Sequence, residues 1–194
     1  MNEDRKHSFM QRRFVQLEGL VLPEIMWLYF EYAKSYVMAG NYFKLEQSTC
    51  SLGRYSDAFG EALLVRLLPE VEKLVGKRLF PTYSFLRFYT PESRLDKHTD
   101  RASCEYSLTL TVGHEGAPPA WPILLESKGQ VERIELAVGD ALLFQGADLP
   151  HWREPLAEGN WLQLFLHYVD VDGPQAGHRF DGRRHTGPRT GIAP

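Results

Sequence analysis

The stretch Arg87-Phe-Tyr-Thr-Pro-Glu-Ser-Arg-Leu-Asp-Lys-His98-Thr-Asp100 begins as an apolar strand pattern and ends in a His-x-Asp triplet. A second histidine, His151, closes the downstream stretch Gly139-Asp-Ala-Leu-Leu-Phe-Gln-Gly-Ala-Asp-Leu-Pro-His. Two imidazoles and one carboxylate can hold one face of a six-coordinate Fe(II) and leave the opposite positions open for a co-substrate and O2. On an extended segment, residues two apart point to the same side. The sequence therefore predicts a non-haem iron site formed by His98, Asp100 and His151.

Length and composition set the class of protein. The chain has 194 residues, of which 43% are hydrophobic, so we expect one domain over 1–194 with one sizeable core. A net charge of −3 provides no basic footprint, and we expect neither nucleic acid nor a membrane as a partner. The only two cysteines, Cys50 and Cys104, lack metal-ligand spacing and are too few for a disulfide scaffold, and such sparse use of cysteine favours a reducing compartment. With no signal-like or membrane-spanning stretch in the sequence, we expect a cytoplasmic protein, and the oligomeric state is left open.

Helical periodicity fills the first third of the chain. Apolar residues recur at helical spacing over 24–38, at Ile25, Met26, Leu28, Tyr29, Tyr32, Ala33 and Tyr36, and Gly40 can end this helix. A second apolar stripe runs from Phe59 to Val75, after a potential cap at Ser56-Asp57 and before Gly76. We expect region 1–79 to be a helical support that packs against a sheet.

From about residue 80 the apolar period changes to two, which is typical of strands. The predicted strands are Ser84–Thr90, Tyr106–Val112, Trp121–Glu126, Val131–Leu136, Ala141–Phe144 and Trp161–Val169. Short strands with little helix between them predict an antiparallel sandwich or barrel over 80–170. Residues 171–194 have few apolar side chains, so we expect a polar surface tail or flap whose histidines and arginines are solvated.

The order of these motifs resembles the Fe(II)- and 2-oxoglutarate-dependent dioxygenases, in particular their prolyl-hydroxylase-like branch. The matching motifs are Leu86-Arg-Phe-Tyr89, His98-x-Asp100, Gly139-Asp-Ala-Leu-Leu-Phe144 and His151-x-x-x-Pro155-Leu-x-x-Gly159, within about residues 80–170. The resemblance implies a double-stranded β-helix, the cupin-like jelly roll, with N-terminal helices. It also implies Fe(II) bound by the two histidines and the aspartate, 2-oxoglutarate and O2 as co-substrates, and hydroxylation of a C–H bond with release of succinate and CO2.

One position departs from the family pattern. The family usually places an Arg or Lys about ten residues after the distal histidine, where it pairs with the far carboxylate of 2-oxoglutarate, but this chain has Trp161. A buried carboxylate still needs a cation or several donors. Arg153 is our first candidate, because it shares a strand face with the distal histidine, and Arg87 is the second. Tyr89 matches a tyrosine that often reaches 2-oxoglutarate in that branch.

Several alternatives stay open at this point. Arg153 would instead be a rim residue if it paired with Glu154 or Asp148. His167 is a second candidate for the distal ligand, although a core role is expected in its apolar strand. Among Ser107, Thr109 and Thr111 and the residues between them, one set must face inward, and the pattern does not decide which.

The function also has alternatives. A small-molecule or amino-acid-like substrate is favoured, and a protein side chain is the alternative. A cupin-like binding domain without catalysis, or a metal-dependent hydrolase or isomerase, would use the same barrel.

Overall fold

A computed structural model describes residues 2–188, and within that range it contains three α-helices and eleven β-strands. The helices are α1 (Asn2–Arg12), α2 (Pro23–Ala39) and α3 (Ala58–Val75). The strands are β1 (Phe14–Leu17), β2 (Lys44–Glu46), β3 (Ser51–Tyr55), β4 (Leu79–Tyr89), β5 (Leu95–His98), β6 (Tyr106–Glu115), β7 (Ile123–Ser127), β8 (Gln130–Ile134), β9 (Ala141–Phe144), β10 (His151–Arg153) and β11 (Asn160–Asp170). Short 3₁₀ helices occupy Ala102–Cys104 and Ala176–Gly182. None of these helices is both long and apolar enough to cross a membrane.

The strands form two antiparallel sheets that face each other. The larger sheet has seven strands in the order β1-β9-β6-β11-β4-β3-β2, and the smaller has four in the order β5-β10-β7-β8. From β4 to β11 the chain passes repeatedly from one sheet to the other, which is the connectivity of a jelly roll. The predicted double-stranded β-helix is therefore confirmed, and each of the six predicted strands overlaps an observed one.

The two long helices end where the sequence predicts. The carboxylate of Asp57 accepts hydrogen bonds from the backbone amides of Phe59 and Gly60, which caps α3. Gly40 and Gly76 adopt left-handed conformations, with φ of 75° and 74°, and close α2 and α3. These ends are set by local chemistry, so they can be read from the sequence.

The buried face of α2 is narrower than the predicted stripe. Met26, Tyr29, Phe30 and Ala33 are buried, whereas Leu28 is 67% exposed. Ile25 is 40% exposed. Because α2 packs one side against β6, apolar residues on its other sides are left at the surface. The prediction that Ile25 and Leu28 belong to the packed stripe is wrong.

The first third of the chain is also less purely helical than expected. β1 adds an edge strand beside β9, and β2 and β3 extend the other edge beyond β4. These strands have three to five residues and lie between helices, where the helical period dominates the sequence pattern. The large sheet therefore includes strands from region 1–79 as well as from the barrel core.

The main core lies between the large sheet and the helices, and a second apolar cluster fills the space between the two sheets. Asp57 links α2 to the start of α3, because it accepts hydrogen bonds from the hydroxyls of Tyr29 (2.6 Å), Tyr42 (2.5 Å) and Tyr32 (3.1 Å). These aromatic residues do not line the cavity described below. These tyrosines of the N-terminal region therefore have a packing role, as expected of a support that packs against a sheet.

The C-terminal segment is docked against the barrel as far as the structure describes it. The guanidinium of Arg183 donates to Glu61 (3.1 Å), to the Ser56 hydroxyl (2.6 Å) and to the Thr82 carbonyl (2.7 Å). Glu61 is only 3% exposed. The expectation that the arginines of this segment are solvated is wrong for Arg183, because the buried carboxylate of Glu61 requires a cation. Residues 189–194 of the predicted tail lie outside the described residues.

Replacement of Arg183 by methionine should lower the free energy of unfolding by about 3 kcal/mol, because one partner of a buried ion pair is lost. Glu61 keeps hydrogen bonds from Ser84 and Gly187, which limits the loss. Urea unfolding measures the change, and the exposed neighbour Arg184, replaced in the same way, should change stability by less than about 0.5 kcal/mol. Equal effects of Arg183→Met and Arg184→Met would contradict the role of Arg183 as an anchor.

Candidate metal centre

The structure brings the three predicted ligands together at one mouth of the barrel. His98 ends β5, His151 begins β10, and the two residues are direct partners in the antiparallel register of these strands. Asp100 follows β5 by two residues, and its Oδ1 lies 3.6 Å from the Nε2 atom of each histidine. One potential ligand atom from each residue lies within 4.8 Å of the other two. This spacing leaves room for one cation bound by all three side chains.

The hydrogen bonds of the two imidazoles fix their tautomers. Nδ1 of His98 donates to the carbonyl of Asp96 at 2.8 Å, and Nδ1 of His151 donates to the carbonyl of Leu149 at 2.9 Å. A carbonyl oxygen only accepts, so in each neutral ring the proton is on Nδ1 and the lone pair is on Nε2. Each Nε2 atom also faces Asp100, which is the orientation that a metal ligand requires.

The carboxylate of Asp100 is held from its other side. Ser107 donates its hydroxyl to Oδ2 at 2.7 Å, and the backbone amide of Asp100 donates to the carbonyl of Gly146 at 2.9 Å. A Cβ atom at Gly146 would lie 2.2 Å from Oδ2, so a side chain there would displace the carboxylate. Sequence reasoning did not find Gly146, because its role depends on an approach between distant segments.

The electrostatics of the site favour an ionised carboxylate at Asp100 and a neutral imidazole at His151. Burial raises the pKa of Asp100. The hydrogen bond with His98 and the nearby His151 and His167 lower this pKa by a larger amount, so that it lies well below its ordinary value. Burial lowers the pKa of His151, whereas the contact with Asp100 raises that of His98. A divalent cation requires deprotonated ligands, and the donor set of two nitrogens and one oxygen fits Fe(II).

A second group of potential ligands shares the same aspartate. Asp100, Cys104 and His167 also lie within 4.8 Å of one another. Burial raises the pKa of the Cys104 thiol to about 12, whereas metal binding requires the thiolate. Nδ1 of His167 donates to the Ser107 hydroxyl at 2.9 Å, since that hydroxyl donates to Asp100, so this nitrogen has no lone pair for a metal beside Asp100. The geometry therefore favours His151 over His167 as the distal ligand.

A cavity of about 410 Å³ opens in front of the triad. Its lining comprises the three candidate ligands, the aromatic residues Tyr83, Phe85 and Phe165, and the polar residues Glu46, Thr49, Arg87 and Asp96, among others. Of the three candidate 2-oxoglutarate contacts, Arg87 belongs to this lining. Arg153 and Tyr89 do not. Each is buried and lies two residues further along its strand than a lining residue, His151 on β10 and Arg87 on β4, and this region is called the deep end of the barrel below.

Arg153 is a buried cation without an acidic partner in the described chain, 2–188. It is 2% exposed, its Nη1 donates to the carbonyl of Trp121, and its guanidinium carbon lies 4.8 Å from the Trp121 ring centroid. Burial lowers its pKa to about 10. The alternative of a rim salt bridge is wrong, since Asp148 pairs with Arg13 and Glu154 accepts from Trp152.

Tyr89 lies beside Arg153 in an aromatic cluster. Its ring contacts Trp121 edge-on at 4.8 Å between centroids, and the cluster includes Trp161. Within residues 2–188, the hydroxyl of Tyr89 and the Nε atom of Arg153 are buried and have no hydrogen-bond partner. Buried polar atoms are normally paired. A cation and a hydroxyl donor thus converge at the deep end of the barrel with spare hydrogen-bonding capacity.

Comparison with known proteins places the fold. No protein-family model matches the sequence, and no curated protein matches it. Among solved structures, the chain is similar to a Pseudomonas putida prolyl-4-hydroxylase, with a TM-score of 0.71, 13% identity and coverage of 88% of this chain and 99% of that one. It is also similar to the non-haem α-ketoglutarate-dependent epimerase SnoN from nogalamycin biosynthesis, with a TM-score of 0.74, 13% identity and coverage of 96% and 91%.

A third similar structure is HygX from Streptomyces hygroscopicus with nickel, 2-oxoglutarate and hygromycin B bound, with a TM-score of 0.64, 14% identity and coverage of 89% and 88%. At these identities the comparison establishes the fold. The chain therefore has the fold of the Fe(II)- and 2-oxoglutarate-dependent oxygenases, as its motifs led us to expect.

Replacement of His98 or His151 by alanine should abolish stoichiometric binding of Fe(II), because the loss of one ligand in three removes the chelate. Cys104→Ala should retain binding within about threefold, since the thiol is protonated. Anaerobic Fe(II) titration by calorimetry measures all three variants, with circular dichroism as the folding control. Loss of binding in Cys104→Ala together with retention in His151→Ala would move the site to the second group.

Proposed function

We propose that this protein is an Fe(II)- and 2-oxoglutarate-dependent oxygenase that hydroxylates a C–H bond of a small molecule. The observation that carries the proposal is the pairing of two features in one barrel. A complete set of two histidines and one aspartate lies at the mouth, and an unpaired buried arginine lies at the deep end. A molecule with a metal-chelating keto acid at one end and a carboxylate at the other satisfies both.

Each part of the co-substrate has a matching group. His98, Asp100 and His151 would hold Fe(II), and the keto acid end of 2-oxoglutarate would chelate it and leave one position for O2. Arg153 would bind the far carboxylate with its planar guanidinium, and Tyr89 would add a hydrogen bond. This arrangement explains how Trp161 can occupy the position where the family has its basic residue. In this chain the basic residue would be Arg153 on β10 instead of a residue at position 161 on β11.

When bound, Fe(II) and 2-oxoglutarate supply the reduction of O2 that inserts one oxygen atom into the substrate C–H bond and the other into succinate, with release of CO2. The protein would hold the metal ligands and the substrate in position and exclude water from the reacting atoms. The Nδ1 bonds of His98 and His151 hold each ring in place, and Ser107 holds the carboxylate of Asp100. Aromatic side chains on the cavity wall exclude water from the reacting carbon.

The substrate and the reaction outcome are the finer parts of the proposal. The cavity is of a size that suits a small molecule, and HygX was solved with hygromycin B bound. The similar structures include proteins described as a hydroxylase, an epimerase and a carbocyclase, so the fold serves several outcomes. Hydroxylation is the simplest of these outcomes, because it needs only the insertion of one oxygen atom into the C–H bond.

Replacement of Arg153 by methionine should weaken 2-oxoglutarate binding by at least about tenfold, because a buried carboxylate would lose its cation. The same variant should make the protein without co-substrate as stable as the wild type or more stable, since an unpaired buried charge is removed. Calorimetric titration of the Zn(II)-loaded protein measures binding, and thermal unfolding measures stability. A variant that binds 2-oxoglutarate normally would contradict the assignment of Arg153, whereas the second readout separates loss of binding from misfolding.

Oxygen-dependent formation of succinate tests the function itself. Wild-type protein with Fe(II), ascorbate and 2-oxoglutarate should release succinate slowly without substrate and faster when a panel of small molecules includes the substrate. Asp100→Ala should reduce the slow release to the rate of buffer with Fe(II). A wild-type rate equal to that background would favour a cupin-like binding domain.

A further inference from the structure

The cavity in front of the triad contains a second arginine with spare hydrogen-bonding capacity. Arg87 lies in the middle of the barrel face of β4, opposite Gln163 of β11. Its Nε atom is buried and without a partner, and within the described chain its guanidinium takes part in no hydrogen bond or salt bridge. Unlike Arg153, it is only partly buried and lines the open cavity. It is therefore accessible to a molecule that enters the mouth.

Aromatic rings hold this guanidinium in place. Its central carbon lies 5.1 Å from the ring centroid of Phe85, 5.7 Å from that of Phe165 and 5.8 Å from that of Tyr89. Contacts of this kind fix the position of an arginine without using its N–H groups. The donors of Arg87 thus stay available for a planar acceptor.

The acidic side chains nearby do not neutralise Arg87. Asp96 lines the cavity but pairs with Arg94 at 2.9 Å. Asp100 faces the two histidines and accepts from Ser107. Glu46 also lines the cavity, yet the described residues contain no ion pair between it and Arg87. An unpaired cation in an apolar-walled cavity favours an anionic ligand.

We propose that Arg87 binds a carboxylate of the substrate, so that the substrate is a small carboxylic acid whose remaining carbon skeleton lies against the aromatic wall and reaches the metal site. This inference rests on the proposed function, because it assigns the far carboxylate of 2-oxoglutarate to Arg153 and the open cavity to the substrate. The two arginines therefore bind different carboxylates. The buried Arg153 binds the far carboxylate of 2-oxoglutarate, and the accessible Arg87 binds the carboxylate of the substrate.

The test uses 4-fluorobenzoate as the probe and 4-fluorobenzamide as its neutral counterpart, because both fit an aromatic-walled cavity and differ in charge. Binding to Zn(II)-loaded protein saturated with 2-oxoglutarate is followed by fluorine NMR. The acid should bind at least about tenfold more tightly than the amide, and Arg87→Met should remove most of that preference. Arg133→Met, which removes the same charge from an exposed ion pair with Glu135 outside the cavity lining, should leave it within about threefold.

The affinity for 2-oxoglutarate is measured in the same proteins, which separates this inference from the proposed function. Arg87→Met should keep that affinity within about threefold, whereas Arg153→Met should lose it. Equal binding of acid and amide by the wild type, or an unchanged preference in Arg87→Met, overturns the inference while the oxygenase stands. Loss of 2-oxoglutarate binding in Arg87→Met, with normal binding in Arg153→Met, also overturns it and makes Arg87 the co-substrate residue. Failure of the wild type to bind 2-oxoglutarate counts against the proposed function.

Discussion

The register between β5 and β10 is the constraint on which the site depends. It places His98 directly opposite His151, with ring centroids 4.4 Å apart, and Asp100 lies close enough for its Oδ1 atom to face both rings. A shift of one residue in either strand would turn one imidazole to the other face of the sheet. The jelly roll enforces this register by holding β10 between β5 and β7. The rest of the barrel supports three side chains at one mouth.

The sequence predicted the elements whose signals are local. The caps at Asp57, Gly40 and Gly76 and the six predicted strands follow from spacing and turn chemistry alone. The three candidate ligands could be proposed because His-x-Asp and a later histidine have a characteristic order. The strands β1 to β3, β5 and β10 were not predicted, because each is short and depends on pairing with a distant segment. Gly146 was missed for a similar reason, since its contact with Asp100 exists only in the folded chain.

The alternation of apolar and polar residues in the sequence does not decide which polar side chains of the barrel are buried or what they contact. Alternation along β6 could not decide which residues face inward, and the structure shows that Ser107 supports Asp100. Arg183 looked like a tail residue, yet it is the partner of the buried Glu61. The sequence offers both Arg153 and Arg87 as candidates for the co-substrate carboxylate, but in the structure only Arg87 lines the open cavity and only Arg153 is fully buried. Depth in a folded barrel is a three-dimensional property, and it suggests different ligands for two similar side chains.

The central claim is that the triad and Arg153 together form one site for Fe(II) and 2-oxoglutarate. Anaerobic addition of 2-oxoglutarate to the Fe(II)-loaded protein tests it directly, because chelation of the metal by the keto acid produces a weak charge-transfer band in visible light. The account predicts that the band appears, saturates at one equivalent of 2-oxoglutarate and requires a higher concentration in Arg153→Met. Tight binding of 2-oxoglutarate without any band would show that it binds away from the metal, and would contradict the account.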